Sequence, residues 1–221
     1  MALLLFDIDG TLLRGGDPTH ANAFDAACRA IFGVPCDVHR TDLAGRTDRH
    51  ILRAVLALEG VTPNDAQINQ TFGFMEDYVE RELTHSLENR LLPGVRELLM
   101  ELRGHTRGLV TGNLPRIAKV KLSRAGIWSS FDGVGGFGHL SEVRADLVRA
   151  ALEQSKEPAD RTVVIGDTLH DIECGRAHGT RTVGVATGRV PAEELQAAGA
   201  DLVLGTLDER DRFLQFVGEL S

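Results

Sequence analysis

The sequence lacks several features that would mark whole classes of proteins. It contains only three cysteines, and they show neither CxxC spacing nor a nearby histidine pattern suited to zinc: Cys28, Cys36 and Cys174. We therefore expect reduced, structural thiols. No apolar run approaches the roughly 18 residues that a membrane span needs. The opening MALLLF is too short for a secretory signal and lacks its basic flank. We expect a cytoplasmic protein with no membrane partner.

Positive charge is also scarce. The chain has 24 lysines and arginines against 32 aspartates and glutamates, a formal net charge of -8. Because such a protein repels nucleic acids and anionic membranes at long range, we expect no nucleic-acid partner. Small anionic ligands remain compatible with the sequence where basic groups are local. The 43% hydrophobic content predicts a real core, and nothing in the sequence sets the oligomeric state.

Two kinds of hydrophobic pattern divide the 221 residues. From Leu92 onward, short apolar runs such as RGLVTGN and RTVVIGDT alternate with amphipathic stretches. This alternation predicts right-handed βαβ units and a doubly wound, mainly parallel sheet of the α/β, Rossmann-like class. The run LLLF near the start supplies the first strand of that sheet.

Strand signals disappear between about Asp17 and Leu91. Apolar residues at helical spacing instead predict one helix that stops at Gly33, another before Gly60, and a third opened by Thr62 and Pro63. The predicted architecture is a core of residues 1–16 and 92–221, interrupted after its first strand by a helical cap of residues 17–91. Such a cap lies over the carboxyl end of the strand, where ligands bind in open parallel sheets.

Acidic and polar side chains stand where the predicted core strands end. Asp7 and Asp9 follow LLLF and point the same way on an extended chain, and GDTLHD supplies Asp167 and Asp171 after another strand. Taken alone, DIDGT also reads as an ordinary turn. Gathered at one edge of a sheet, however, these carboxylates form a set of hard oxygen ligands that suits Mg²⁺. In VTGN, the Thr111 hydroxyl and the free amides of the glycine turn suit a phosphoryl oxygen.

The segments DIDGT, VTGN and GDTLHD, in this order, resemble motifs one, two and four of the haloacid dehalogenase superfamily. The resemblance covers nearly the whole chain and is specific to the phosphatases with a helical cap after motif one, the phosphoglycolate phosphatase-like group. It implies that Asp7 is the nucleophile that forms an aspartyl-phosphate, and that Asp9 exchanges protons with the leaving alcohol and the attacking water.

The same resemblance implies the roles of the surrounding groups. Mg²⁺ would be held by Asp7, the backbone carbonyl of Asp9 and Asp167, and Asp171 would orient the metal shell directly or through water. The phosphoryl oxygens would be bound by groups of two turns: Thr111 with the Gly112 and Asn113 amides, and the turn around Gly10 and Thr11.

One motif departs from the family pattern. The third motif is normally a lysine shortly before a helix, and the corresponding stretch here reads LSEVRADLVRAAL. Arg144 is the best substitute as a fixed cation, although its planar fork is not interchangeable with an ammonium group. A solvated helix residue is the alternative reading, and Lys119 and Lys121 are weaker candidates for the motif-three role.

The predicted cap contains a basic stretch, HRTDLAGRTDRHILR. Thr47 or Asp48 can cap the helix that starts there, which places Gly45 and Arg46 in a turn near its positive end. In related phosphatases the matching loop lies over the active site, so Arg46 is a candidate for substrate binding, with an exposed basic face as the alternative. His170, inside GDTLHD, could also touch the site.

The resulting hypothesis is a Mg²⁺-dependent phosphomonoester hydrolase that acts on a small phosphorylated metabolite, with phosphoglycolate suggested by the resemblance only. A phosphomutase of the β-phosphoglucomutase kind shares the aspartate pair and the cap. A binding protein without turnover is the alternative from another class, because fold does not prove function. A dehalogenase is disfavoured because that branch lacks the aspartate found here at position 9.

Overall fold

The computed structural model describes residues 1–15, 17–42 and 44–220. The strands of this part of the chain form one six-stranded sheet in the order β3-β2-β1-β4-β5-β6, and every neighbouring pair is parallel. Their bounds are β1 Leu3–Phe6, β2 Thr106–Thr111, β3 Gly135–Phe137, β4 Thr162–Gly166, β5 Arg181–Val185 and β6 Leu202–Leu204. The prediction of a doubly wound parallel sheet is confirmed.

The core helices alternate with these strands, as the spacing of the apolar runs predicts. They are α4 Val95–Glu101, α5 Pro115–Arg124, α6 Ala145–Ser155, α7 Leu169–Arg176, α8 Ala192–Ala197 and α9 Arg210–Gly218. Strand β1 is buried along its whole length and pairs with β2 on one side and β4 on the other. A strand covered on both faces has no solvent-facing positions, which is why LLLF is uniformly apolar.

Of the four α-helices that the described residues place between β1 and β2, the first three form the inserted helical cap: α1 Thr19–Phe32, α2 Asp48–Leu58 and α3 Asp65–Glu82. Helix α1 ends at Gly33, whose φ of 71° permits the left-handed conformation that closes a helix. In α2 the N-cap is Thr47, whose side chain accepts a hydrogen bond from the His50 N–H. The placement of the domain boundaries at residues 16/17 and 91/92 stays a prediction.

The predicted start of α3 is wrong. Thr62 and Pro63 do not cap this helix; Asn64 does, because its side chain accepts from the Gln67 N–H at 2.9 Å while the Gln67 side chain accepts from the Asn64 N–H at 3.0 Å. This reciprocal capping box satisfies two amides that a Thr-Pro start would leave open.

Most of the buried apolar side chains form one cluster that includes residues of the cap helices and of the core. All three cysteines are buried and unpaired. No helix in the described ranges has both the length and the apolar character required to cross a bilayer.

Candidate active site

The site lies at the carboxyl ends of the three central strands. Asp7 directly follows β1, Thr111 ends β2, and Asp167 directly follows β4. Because β1 pairs with β2 and β4 in parallel register, these three ends meet at one edge of the sheet. All three residues line a cavity of about 810 Å³ that is bounded on the other side by residues of the cap.

Asp7 is paired with a buried arginine at the floor of this cavity. The Arg144 Nη2 atom lies 3.0 Å from Asp7 Oδ1 and 2.6 Å from Asp171 Oδ1. Burial raises the pKa of Asp7 to about 6, against the lowering effect of Arg144. Burial disfavours the charged form of Arg144 too, but Asp171 and Asp7 outweigh it and raise the pKa of the guanidinium. The structure thus places Arg144 beside Asp7, where the sequence comparison places the motif-three cation.

Asp167 is held in a narrow space next to Asp7. The Thr11 hydroxyl donates to Asp167 Oδ1 at 3.1 Å. A Cβ atom built on Gly10 or on Gly188 would overlap the Asp167 carboxylate, so only glycine fits at these two positions. Burial, followed by the nearby Asp7 charge, raises the pKa of Asp167 to about 8. Its environment therefore disfavours a bare anion and favours one that is neutralised by a cation.

Asp171 completes a group of three buried carboxylates with Asp7 and Asp167, whose ligand atoms lie within 4.8 Å of one another. Both of its oxygens already accept hydrogen bonds. Oδ1 accepts from Arg144, and Oδ2 accepts from the Thr168 N–H at 3.0 Å and the Thr168 hydroxyl at 2.7 Å, in the capping box that starts α7. Asp171 therefore fixes Arg144 and the start of α7 beside the other two carboxylates.

Asp9 lies apart from this group and has a cation of its own. The Lys121 Nζ atom lies 2.7 Å from Asp9 Oδ2, and the Asn113 side-chain amide donates to the same oxygen at 2.8 Å. Partial desolvation opposes the ionisation of Asp9, but the charge and hydrogen bond of Lys121 and the bond from Asn113 outweigh it, so the pKa of Asp9 is lowered. The two aspartates of DIDGT are thus held by two different cations.

The turn after β2 carries the predicted phosphate-binding groups. The Thr111 hydroxyl accepts from the Asn113 side-chain amide at 2.8 Å, and Gly112 lies directly beneath the backbone of Arg46 in the cap. The Asp48 N–H donates to the Gly112 carbonyl at 2.8 Å, and the Leu114 N–H donates to Asp48 Oδ2 at 2.8 Å. Asp48 therefore connects the start of α2 to this turn both as a hydrogen-bond donor and as an acceptor.

The cap loop before α2 reaches the cavity from above. The Gly45 carbonyl accepts from Arg144 Nη1 at 3.0 Å, and Arg46 lines the cavity. Within the part of the chain that the structure describes, Arg46 Nε is buried and has no hydrogen-bond partner. Arg14 and Arg189 also line this cavity. Besides Arg144, three arginines therefore line the cavity that contains the aspartates.

The structure brings together most of the residues selected from the sequence, and it gives some of them different neighbours. The Gly10 N–H donates to the Leu13 carbonyl, and the Thr11 hydroxyl is bound to Asp167; their phosphate-binding role stays a prediction. Lys119 is exposed. His170 contacts Glu173 at 3.1 Å and is not among the residues that line the cavity.

Three residues have contacts in the site that the sequence does not predict. The sequence offers Lys121 as a weaker motif-three candidate and Asp48 as a possible helix cap, and it gives no signal for His20. Their contacts form when the cap meets α5. The one local signal is that Lys121 follows Asn113 by eight residues, about two helical turns, which puts it above the turn after β2.

Fold and site together define an α/β enzyme with a carboxylate-lined cavity beneath a helical cap. A family model described as haloacid dehalogenase-like hydrolase matches residues 1–179. The chain belongs to this family, and the prediction of an enzyme of the superfamily's phosphatase type is confirmed.

Three known proteins illustrate the relationship. The chain is 30% identical to an N-acetylmuramic acid 6-phosphate phosphatase of Pseudomonas aeruginosa, over 91% of this chain and 89% of that protein. It is 29% identical to a phosphoglycolate phosphatase of Vibrio cholerae, over 94% of this chain and 95% of that protein. The solved structure of β-phosphoglucomutase from Clostridium difficile superposes with a TM-score of 0.72 at 18% identity, over 99% of this chain and 97% of that one, which is a likeness of fold.

Proposed function

We propose that this chain is a Mg²⁺-dependent phosphomonoester hydrolase that works through an aspartyl-phosphate on Asp7. The observation that carries the proposal is the arrangement of Asp7 and Asp9 at one cavity floor, each with its own buried cation, Arg144 at 3.0 Å and Lys121 at 2.7 Å. One carboxylate can then act as nucleophile while the other handles protons.

The donor set fits a Mg²⁺ ion. Asp7 and Asp167 offer hard carboxylate oxygens, burial disfavours their charged forms in the absence of a cation, and the Asp167 carboxylate occupies space that a Cβ on Gly10 or Gly188 would fill. The ion would be held by these two side chains and the Asp9 backbone carbonyl, with Asp171 orienting them. When bound, it would offset the repulsion between Asp7 and the phosphate and neutralise charge on the transferring group.

The residues of this chain account for both chemical steps. In the first, an Asp7 oxygen attacks phosphorus, the bond to the ester oxygen breaks, and Asp9 gives a proton to the leaving alcohol. The negative charge of the bound phosphate would favour the protonated form of Asp9 that this step needs, against the lowering effect of Lys121 on its pKa. In the second, water attacks the same phosphorus, its proton passes to Asp9, and the Asp7–phosphate bond breaks to release inorganic phosphate. Thr111 and the Gly112 and Asn113 amides would bind the phosphoryl oxygens, and Arg144 would offset the charge on Asp7 and the phosphate.

A small phosphorylated acid is the substrate class that the cavity supports. Within the described residues Arg46 has an unpartnered buried Nε, and Arg14 and Arg189 line the same cavity. The relatives named for phosphoglycolate and for N-acetylmuramic acid 6-phosphate both act on phosphorylated carboxylic acids. A volume of about 810 Å³ is far larger than phosphoglycolate requires, so a sugar acid phosphate is the second candidate. A cytoplasmic location stays a prediction.

A panel of phosphate monoesters tests this function. We expect Mg²⁺-dependent release of phosphate from an aryl phosphate, and faster release from phosphorylated acids than from uncharged sugar phosphates. Incubation with a sugar 1-phosphate separates the mutase alternative, since an isomerised product without free phosphate would overturn hydrolysis. A complete lack of turnover across the panel would instead favour a binding protein.

Metal dependence gives the first quantitative prediction. We expect EDTA to lower the rate of aryl phosphate hydrolysis by at least about 100-fold, because the like charges of Asp7 and phosphate then meet without compensation. We also expect saturating Mg²⁺ to raise the thermal unfolding temperature, since a ligand at about 100 times its Kd stabilises by about 2.7 kcal/mol. Full activity in EDTA with no thermal shift on adding Mg²⁺ would contradict the metal assignment.

The glycine next to Asp167 gives a second prediction. In Gly188→Ala the added methyl would overlap the Asp167 carboxylate and displace it. We expect the Mg²⁺ concentration for half-maximal activity to rise by roughly 10- to 100-fold, as it does when groups that orient metal ligands are altered. Gly73→Ala is the matched control, because a Cβ at Gly73 meets nothing within 4 Å. An unchanged Mg²⁺ requirement in Gly188→Ala would count against Asp167 as a ligand.

A further inference from the structure

The Lys121 ammonium lies at the centre of a partly buried network beside the active site. Its Nζ atom lies 2.9 and 2.7 Å from the two Asp9 oxygens, 2.7 Å from Asn113 Oδ1 and 3.4 Å from His20 Nδ1. Only 10% of its side chain is exposed. An ammonium group has three protons, so Lys121 can donate to Asp9, Asn113 and His20 at once if the two Asp9 oxygens share one proton.

The same network extends into the cap. His20 belongs to α1, and its Nε2 atom lies 3.1 Å from Oδ2 of Asp48, the first residue of α2. That Asp48 oxygen also accepts from the Leu114 N–H at the start of α5. A neutral His20 with its proton on Nε2 satisfies both contacts, donating to Asp48 and accepting from Lys121. Asp9 is therefore linked through Lys121 and His20 to two cap helices.

Asp9 needs such support because of where it lies. It follows β1 in a turn, and 43% of its side chain is exposed, whereas only 7% of the Asp7 side chain is. A carboxylate on a turn can rotate out of line with the reacting oxygen unless both of its oxygens are held. Lys121 contacts both, and Asn113 contacts one.

We propose that Lys121 is a positioning residue that holds the Asp9 carboxylate at the reacting phosphoryl group, and that His20 and Asp48 secure Lys121 when the cap is closed over the core. The inference rests on the proposed function, because it gives Lys121 its role through the proton transfers of Asp9. Misplacement of a reacting group by about 1 Å can cost about 100-fold in rate, which is the effect that loss of Lys121 should approach.

A double-mutant cycle on aryl phosphate hydrolysis tests this role. We expect Lys121→Met to lower kcat by roughly 100-fold with KM changed less than about threefold, but to lower kcat by no more than about twofold in an Asp9→Ala enzyme. If Lys121 merely supported the fold, its replacement would lower kcat by the same factor in both backgrounds, and that result would overturn the proposal. A rise in KM with unchanged kcat would also overturn it, since it would indicate direct substrate binding.

Two further variants complete the test. Lys119→Met, on the same helix but exposed, should retain wild-type kcat. His20→Ala should lower kcat in the wild-type background but have little further effect in Lys121→Met, and independent losses would overturn the link to the cap. Suppose that the wild type is active, Asp7→Asn is inactive, and the effects of the Lys121 and Asp9 substitutions on kcat are independent. That result would overturn the positioning role of Lys121 but leave the proposed function standing. An inactive wild type would remove the proposed function together with that role.

Discussion

Asp7→Asn is expected to abolish Mg²⁺-dependent phosphate release, with a loss in kcat on the order of 10⁴-fold or more. The amide has the shape of the carboxylate, but its nitrogen cannot attack phosphorus and its oxygen is a poor nucleophile. The measurement is steady-state phosphate release under saturating Mg²⁺.

A chemical readout accompanies the kinetic one. Acid quenching of the wild-type enzyme during turnover of a labelled phosphate ester should leave label on Asp7, and the asparagine variant should carry none. Asp160→Asn is the control, because Asp160 is an exposed aspartate of the core. Phosphate release that survives in Asp7→Asn would remove the nucleophile assignment.

Arg144→Met is expected to have the second largest effect, a loss in kcat of roughly 10³-fold. A guanidinium that stabilises charge in phosphoryl transfer is worth about 10³- to 10⁵-fold, and Arg144 is the cation in contact with Asp7 Oδ1. Removing it also leaves Asp7 and Asp171 buried without a counter-charge. In the absence of Mg²⁺, we therefore expect the free energy of unfolding to fall by about 3 kcal/mol in urea titrations.

Two variants show whether charge or shape matters at this position. Arg144→Lys keeps a cation but cannot reach Asp7, Asp171 and the Gly45 carbonyl with one rigid fork, so it should recover only part of the lost activity. Arg149→Met, on the exposed face of the same helix, should change the unfolding free energy by less than about 0.5 kcal/mol. Near-normal turnover by Arg144→Met would show that another group fills the place of the motif-three cation.

The fold was largely predictable because its strands are buried on both faces. Runs such as LLLF have no solvent-facing positions, so the apolar pattern alone marks β1, β2, β4 and β5. Strand β3 escaped prediction because its sequence, Gly-Gly-Phe, has only one side chain of strand character. A Cβ on Gly135 or Gly136 would meet backbone atoms of neighbouring elements, so close packing selects glycine where strand propensity would not.

The candidate site was predictable only where it follows the strands. Asp7, Thr111 and Asp167 stand at strand ends, and the parallel topology brings such ends together whatever the details of packing. The neighbours of Asp9 could not be predicted, because Lys121 lies 112 positions away along the chain, on α5, and His20 contacts Lys121 only when the cap is in place. Contacts that depend on how two layers approach leave no local pattern in the sequence.

The sheet order has a consequence for how long the site persists as the molecule fluctuates. Strands at the edges of a sheet open first, while central strands exchange their amide hydrogens only when the whole domain unfolds. Asp7, Thr111 and Asp167 all follow or end central strands, with β3 and the β5–β6 pair outside them. Partial opening at either margin therefore leaves Asp7, Thr111 and Asp167 in register, whereas opening at the β3 margin would displace Arg144, which lies between β3 and α6, so the site should lose this cation before it loses its carboxylates.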